Sequence, residues 1–503
     1  MIKIVCNNTD FEYDIRAMVM AFYPYENPEY HIVAEDSFDA GEDTVIKINM
    51  QPEIISISVY NDKKCESDSR IVENGTKKKY RDDLKRLLYD LLVRFINVKL
   101  RWGTLTGVRP TKLPMKQLLA GSDYETTVEY MKNEYFCTDE KARLSTTIAE
   151  REIEILDREG FGDGYSIYIG IPFCPTVCTY CSFSSIGLNM IKNPDELMDN
   201  YINALEKECR YVSTVYPDRK LTSIYVGGGT PTALSVSHMQ RLMDIINECF
   251  SVSEASEFCV EAGRPDSINE EMLMVLKNGG VNRISVNPQT MKQETLNSIG
   301  RAHTVEQTKE AFLLARKCGF DNINMDLIAG LFGETTEDFA NTLSELDALA
   351  PDSFTVHSLV VKRASQYRQQ KETFTEEYDN ENVTETMLDM AFEYAKKHDF
   401  IPYYMYRQKN KAGLGDGHVL ENVGYSKSGK ESVYNIMIME ERQTILAMGA
   451  GAQSKFVKPY NAYKEDMDGL SRNSNVKNVY EYIDRIDEMI ERKKRWLSEY
   501  DNK

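Results

Sequence analysis

The sequence predicts an α/β protein built as a partial (β/α)6 barrel, carried between an α+β N-terminal domain and a mixed C-terminal domain. Three observations predict it. From residue 165 onward, short apolar runs alternate with helical periods about six times in succession, the signature of a parallel sheet with helices outside. Gly160, Gly162 and Gly164 cluster with Asp163 directly before that series and mark a linker. After the helical period over 384–397 the alternation stops. These changes of texture set the expected domains at 1–162, 163–400 and 401–503.

In chain order, 2–6, 45–50 and 54–60 read as short strands around one helix. Residues 79–100 carry a helical period, with Leu84, Leu87, Leu88, Leu91, Leu92, Phe95 and Val98 recurring at three and four. The glycines and proline of 103–113 break that helix, and more helix follows through 158. The barrel strands are expected at 165–171, 221–226, 257–261, 283–286, 322–328 and 352–361. The helices between them are expected at 194–215, 235–250, 270–278, 305–317 and 337–348. Residues 402–425 are rich in Tyr, Asn and Gly, and 476–500 read as a charged terminal helix. The unusual residues fall just after strand C-terminal ends, where such folds place their active sites.

Composition excludes several classes. The formal net charge is −19 and the pI near 5.0, so the surface repels phosphate backbones and nucleic acid is not an expected partner. No apolar run reaches the length of a membrane span. The N-terminal Met-Ile-Lys-Ile-Val-Cys lacks the basic-then-apolar plan of a signal peptide, and a cytoplasmic protein is expected. Ten cysteines in 503 residues do not make a disulfide framework. Cys6, Cys65, Cys137, Cys209, Cys249, Cys259 and Cys318 are scattered, and most read as small buried hydrophobes in a reducing compartment.

The other three cysteines carry the chemistry. Cys174, Cys178 and Cys181 stand in Ile-Pro-Phe-Cys-Pro-Thr-Val-Cys-Thr-Tyr-Cys-Ser-Phe, spaced C-x3-C-x2-C. Three thiolates suit three irons of a four-iron cluster, leaving the fourth iron open to chelate a small molecule and pass it an electron. A zinc site completed by a remote His238 or His357 is the alternative, although zinc sites usually pair C-x2-C with nearby histidine. Ile171, Pro172, Phe173, Val177, Tyr180 and Phe183 supply an apolar sheath. Further on, Gly227-Gly228-Gly229-Thr230 ends the second barrel strand and lets the backbone approach a ligand. Glu261 ends the third, where a carboxylate can accept from ribose hydroxyls or an ammonium. Gln289, Arg301 and Asp326 follow in that order.

These residues resemble the radical S-adenosylmethionine (SAM) superfamily, and within it the oxygen-independent coproporphyrinogen III oxidase family. The segments Gly170-Ile-Pro-Phe-Cys, Val361-Lys-Arg-Ala-Ser, Tyr404-Met-Tyr-Arg-Gln-Lys-Asn, Glu421-Asn-Val-Gly-Tyr and Trp102-Gly-Thr-Leu-Thr-Gly-Val-Arg-Pro-Thr-Lys look like the HemZ-type coproporphyrinogen dehydrogenases. The resemblance implies a radical SAM barrel with a [4Fe-4S] cluster on the three cysteines, and two SAM molecules. Tyr168, Tyr180, Gly228, Gly229, Thr230 and Glu261 match the first SAM site; Gln289, Arg301 and Asp326 match residues at a second. It implies a tetrapyrrole substrate, haem biosynthesis, a reduced donor such as flavodoxin or ferredoxin, and a monomer. Lys362, Arg363, Arg407 and Lys409 are candidate clamps for substrate carboxylates, and Tyr403, Tyr404 and Tyr406 for stacking on the ring. His357 is a possible substrate contact or a buried hydrogen-bonded histidine. Two positions depart from the best-understood oxidases, which carry a fourth cysteine where Phe183 stands and a histidine where Gly170 stands. Related haem chaperones and haem-modifying methyltransferases also lack that cysteine, and both are alternative readings.

Overall fold

A computed structural model describes residues 1–23, 26–32, 43–72, 76–160, 164–359, 380–408, 421–457 and 470–501. Two compact units divide the chain. The first comprises Met1–Glu150, Asp379–Glu385 and Tyr406–Glu421; the second comprises Arg151–Tyr378, Thr386–Met405 and Asn422–Lys503.

In the first unit, β1 (Ile2–Cys6), β2 (Glu29–Ile32), β3 (Thr44–Met50), β4 (Ile54–Tyr60) and β5 (Cys65–Ile71) form one sheet in the order β2-β1-β3-β4-β5. Strand β1 runs parallel to β2 and β3, and β3-β4-β5 is an antiparallel meander. Helices α1 (Glu12–Phe22) and α2 (Lys77–Ile96) bury their apolar stripes on it through Ile15, Met18, Val19, Leu84, Leu88 and Leu91. Expectation and structure differ at the end of α2. Asn97 takes a left-handed φ of 63°, stops the helix, and leaves Val98 exposed outside it. Three further helices follow, α3 (Lys112–Leu119), α4 (Tyr124–Tyr135) and α5 (Asp139–Glu159).

The second unit carries the barrel strands β6 (Gly164–Ile171), β9 (Lys220–Gly228), β10 (Glu257–Glu261), β11 (Arg283–Ser285), β12 (Ile323–Ala329) and β13 (Ser353–Ser358). A short pair, β7 (Phe173–Cys174) and β8 (Ile186–Gly187), lies between the first two of them. The six pair in parallel in chain order, as the alternation predicts. Helices α6 (Pro194–Val212), α7 (Val236–Cys249), α8 (Glu270–Asn278), α10 (Val305–Lys317) and α11 (Thr336–Leu349) connect them. The last two start in reciprocal capping boxes at Thr304/Gln307 and Thr335/Asp338. The short helix α9 (Gln293–Ser298) was not expected: six residues hold too little periodicity to read. Gly164, expected in the linker, instead opens β6; a Cβ there would meet Thr222 Oγ1 at 2.4 Å.

The barrel stays open, because β6 and β13 each pair outward with other strands. After α12 (Asn380–Lys397) come β14 (Ile401–Arg407), β15 (Glu421–Ser426), α13 (Val433–Glu440), β16 (Thr444–Met448), β17 (Gln453–Val457), β18 (Leu470–Ser474), α14 (Val479–Asp484) and α15 (Ile486–Asp501). Strand β15 runs antiparallel to β13, and β16 parallel to β6. The full sheet is β14-β15-β13-β12-β11-β10-β9-β6-β16-β17-β18. Tyr403 and Tyr404, one candidate stacking pair, are core residues; a Cβ on Gly424 would meet the Tyr404 ring at 2.0 Å.

Candidate active site

The cysteines sit on the loop after the first barrel strand. Its base is closed by β7 against β8, with Phe173 opposite Ile186 and Cys174 opposite Gly187. Its far side is tied to the loop after α9: Thr179 N donates to Ile299 O at 3.1 Å and Thr176 Oγ1 to Gly300 O at 3.4 Å. Cys174, Cys178 and Cys181 are partly exposed free thiols. Two of their sulfurs already receive donors. Thr230 Oγ1 donates to Cys174 Sγ at 3.5 Å, and Arg264 Nη1 to Cys178 Sγ at 3.7 Å. Donors aimed at sulfur stabilise thiolates and tune a cluster held by them. Burial works the other way at Cys174 and Cys181, raising both thiol pKa values.

No group of three His, Cys, Asp or Glu side chains among the described residues is arranged to hold a single metal ion. A four-iron cluster takes each thiolate on a separate iron, so it needs no such convergence. His238 is engaged by Ser235 at 2.6 Å and Asp199 at 3.1 Å, and His357 lies 3.8 Å from Asp326. The expected sheath is real at Ile171 and Phe173, which are fully buried, but Phe183 is 70% exposed. A small apolar cluster of Leu296, Ile299, Leu331 and Leu359 backs Tyr180. Of the scattered cysteines, Cys6, Cys137, Cys209 and Cys259 are buried and Cys65 is exposed.

The glycine run lies against this loop. Gly229 N donates to Ile171 O at 2.8 Å and Thr230 N to Phe173 O at 2.7 Å. Only glycine fits at 229, where a Cβ would meet Phe173 O at 2.5 Å. Gly228 holds a φ of 108°, and a Cβ there would lie 3.1 Å from the Tyr168 hydroxyl. Glu261, at the end of β10, accepts from the Tyr225 hydroxyl. Burial pushes its carboxyl up to about 7, against the pull of that hydrogen bond; nearby Asp326 adds to the rise. Tyr225, Tyr434 and Tyr168 stack beside it, with centroids 4.4 Å apart for Tyr225–Tyr434 and 6.1 Å for Tyr168–Tyr434.

The remaining site residues also converge. Gln289 N donates to Asp326 O at 3.0 Å, and Ile328 N to Gln289 O at 2.9 Å, bridging the ends of β11 and β12. Gln289 has a φ of 67°, an unusual conformation for a non-glycine residue. Arg301 donates to Asn287 O and, at 3.3 Å, to the Tyr180 hydroxyl. Asp326 would be raised by burial, but His357, Asn324 and Thr355 outweigh that and hold it below its ordinary value. Asp326 and His357 are thus neighbours.

Sequence reasoning missed Arg264, Tyr225 and Tyr434. Arg264 had a visible signal, three residues after Glu261 in Glu-Ala-Gly-Arg-Pro. Tyr434 had none, because it arrives on α13, whose first turn is fixed when Glu257 accepts from the N–H groups of Val433 and Tyr434, both at 3.0 Å. Of the candidate carboxylate clamps, Lys362, Arg363 and Lys409 lie outside the described residues, and Arg407 belongs to the first unit.

Residues 168–346 match the Radical SAM superfamily. The chain is 40% identical over 433 residues to the oxygen-independent coproporphyrinogen-III oxidase-like protein HemZ of Bacillus subtilis, covering 85% of this chain and 83% of that protein. It is 32% identical over 326 residues to the heme chaperone HemW of the same organism, covering 64% and 76%. In fold it is similar to the coproporphyrinogen III oxidase HemN of Escherichia coli, a radical SAM enzyme, with a TM-score of 0.51, 23% identity, and coverage of 66% and 72%. No helix among the described residues is long and apolar enough to cross a membrane. The chain belongs to the radical SAM superfamily, among the oxygen-independent coproporphyrinogen-III oxidase-like proteins of the HemZ type, a family that implies a [4Fe-4S] cluster and SAM.

Proposed function

We propose that this protein catalyses the oxygen-independent oxidative decarboxylation of coproporphyrinogen III to protoporphyrinogen IX. The reading rests on one observation above the family itself: a loop of three free thiols, two with donors on their sulfurs, packed against a glycine run at the open end of the parallel sheet. Bound there, the cluster and SAM would supply a 5′-deoxyadenosyl radical, the species that takes a hydrogen atom from the β-carbon of a propionate. Two propionates react in turn, each losing carbon dioxide and handing one electron to an acceptor.

The chain's own part is binding and orientation. Cys174, Cys178 and Cys181 hold the cluster. The N–H groups of Gly229 and Thr230 are spent on Ile171 and Phe173, so backbone carbonyls are what this run offers a SAM ammonium. Glu261, ionised above its raised pKa, accepts from ribose hydroxyls, with Tyr168 and Tyr180 closing the first SAM site. Gln289, Arg301 and Asp326 hold a second SAM. The protein works as a cytoplasmic monomer, drawing electrons from a flavodoxin or ferredoxin, with domains at 1–162, 163–400 and 401–503.

A haem-binding chaperone on the same scaffold is the second reading. It is favoured by the exposed Phe183 at the position of the oxidases' fourth cysteine, and by the likeness to HemW. Anaerobic incubation of the reconstituted protein with SAM, a reductant and coproporphyrinogen III, read by mass spectrometry, separates the two. Loss of two carboxyl groups supports the decarboxylase. No decarboxylated product, together with retention of intact haem in a parallel incubation with added haem, supports the chaperone.

A further inference from the structure

The segment Trp102-Gly-Thr-Leu-Thr-Gly-Val-Arg-Pro-Thr-Lys, one of those that carry the family resemblance, is firmly built. Gly103 has a φ of 53° and packs so closely that a Cβ would overlap Tyr135 O at 2.0 Å. Thr104 N donates to the same carbonyl at 2.8 Å, and Trp102 is buried with its indole N–H on Glu421. All of these residues lie in the first unit.

Two cations end on this loop at consecutive residues. Lys85 Nζ donates to Thr106 Oγ1 at 3.2 Å, and Arg407 Nη1 to Leu105 O at 2.6 Å. Arg407 also lies over the Trp102 ring, 5.4 Å from its centroid, and its own N–H bonds Val108 O at 2.7 Å. Neither cation forms an ion pair among the described residues. Glu421 acts on Arg407 by charge without bonding it, since its oxygens receive Trp102 Nε1 and, at 2.9 Å, Lys141 Nζ. The guanidinium is thus pinned through Nη1 alone. Nε is buried without a hydrogen-bond partner, and it shares the planar Nε–Nη2 edge, the two-donor face that matches two carboxylate oxygens. Burial lowers the pKa of both side chains; Arg81 and Arg407 add to the lowering at Lys85, where Asp14 and Asp82 oppose it, and Glu421 opposes it at Arg407. A buried guanidinium donor left without an acceptor is costly until one completes it.

We propose that Arg407 and Lys85, held by Leu105 and Thr106, form a carboxylate-binding site in the first unit. Arg407 supplies the two-donor edge, the Lys85 ammonium the second charge, and Trp102 the apolar floor that fixes the guanidinium plane. The carboxylate can come from a tetrapyrrole propionate or from a small free acid; choosing a tetrapyrrole as the first probe rests on the decarboxylase reading.

The test needs no turnover, so its failure is separable from failure of that reading. Binding of oxidised coproporphyrin III to the full chain is measured by fluorescence, for the wild type, Arg407→Gln, Lys85→Gln and Arg407→Lys. The tetramethyl ester, which has no free carboxylate, is the control. Weakening by about tenfold or more in both glutamine variants, a smaller loss in Arg407→Lys, and no change for the ester support a propionate site. A rise in the wild-type melting temperature with propionate or succinate, absent in the variants, while porphyrin binding stays equal, supports the site and assigns it to small acids. Variants that match the wild type for every ligand overturn it. If Arg407→Gln does not fold, Thr106→Asp decides: it places an anion against Lys85, and unchanged carboxylate binding overturns the site.

Discussion

Arg264 joins a carboxylate to a cysteine of the C-x3-C-x2-C loop: Nε and Nη2 grip both oxygens of Asp266 at 2.9 and 2.8 Å, while Nη1 reaches Cys178 Sγ at 3.7 Å. The same Nη1 also bonds Thr176 within the cysteine loop. Asp266 fixes the guanidinium plane, and the guanidinium in turn presents positive charge to one thiolate. Hydrogen bonds and positive charge near cluster sulfurs favour the reduced, more negative state. Arg264→Ala should therefore shift the cluster's reduction potential to a more negative value, with Arg264→Lys between it and the wild type. A spectroscopic redox titration of reconstituted protein reads this directly. Equal potentials in fully loaded wild type and Arg264→Ala would show that the contact is structural only.

The contrast between Arg264 and Tyr434 explains what the sequence disclosed. Strands β6, β10 and β12 were legible because each is a mostly apolar, buried run followed by an amphipathic helix, and the cysteine spacing was legible because it is local. The strands after α12 were not. In Glu421–Ser426 every residue is buried, yet Glu, Asn, Gly and Ser make up most of it, and their burial depends on partners far along the chain. Tyr434 stacks on Tyr225 for the same reason: nothing local announces a contact made by tertiary docking of α13. Gln289 was found through the family resemblance, while its left-handed backbone, paired with Asp326 and Ile328, was invisible.

Glu334 gives the fold a defined pH response. It is buried, one oxygen accepts from the Thr290 hydroxyl, and the other has no hydrogen-bond partner. Burial pushes its carboxyl up from 4.5 to about 7. Below about pH 4.5 both folded and unfolded chains carry the proton, and the group is neutral to stability. Between about 4.5 and 7 the folded chain keeps a proton the unfolded chain has lost, so stability falls as pH rises through this window, by roughly 3 kcal/mol at most. Glu334→Gln removes the titration. Its stability advantage over the wild type should grow from pH 5 to pH 8, read as the difference in urea midpoints. A difference that stays constant with pH would contradict the assignment.

The buried pair Lys493–Glu208 should be the strongest single contact between α15 and the barrel side of the second unit. Lys493 Nζ donates to Glu208 Oε1 and to Ala447 O, and the two side chains are 1% and 0% exposed. Glu208 further accepts from Tyr482 Oη at 2.6 Å, from Asn475 Nδ2 at 2.9 Å and from Gly449 N at 2.9 Å. Its acceptors are thus filled by groups from α14, from the turn after β18 and from the loop after β16, the strand that pairs with β6. Lys493→Met leaves a carboxylate with only neutral donors in a dry site, a loss of roughly 3–5 kcal/mol for breaking one side of such a pair. Glu208→Gln leaves the ammonium without its counter-charge and should cost a similar amount. The double variant should lose clearly less than the sum of the two, because each single change already strands its partner. Urea unfolding of the four proteins in this cycle measures the coupling. Additive losses, or a Lys493→Met protein as stable as the wild type, would mean that the ion pair contributes nothing beyond the surrounding neutral hydrogen bonds.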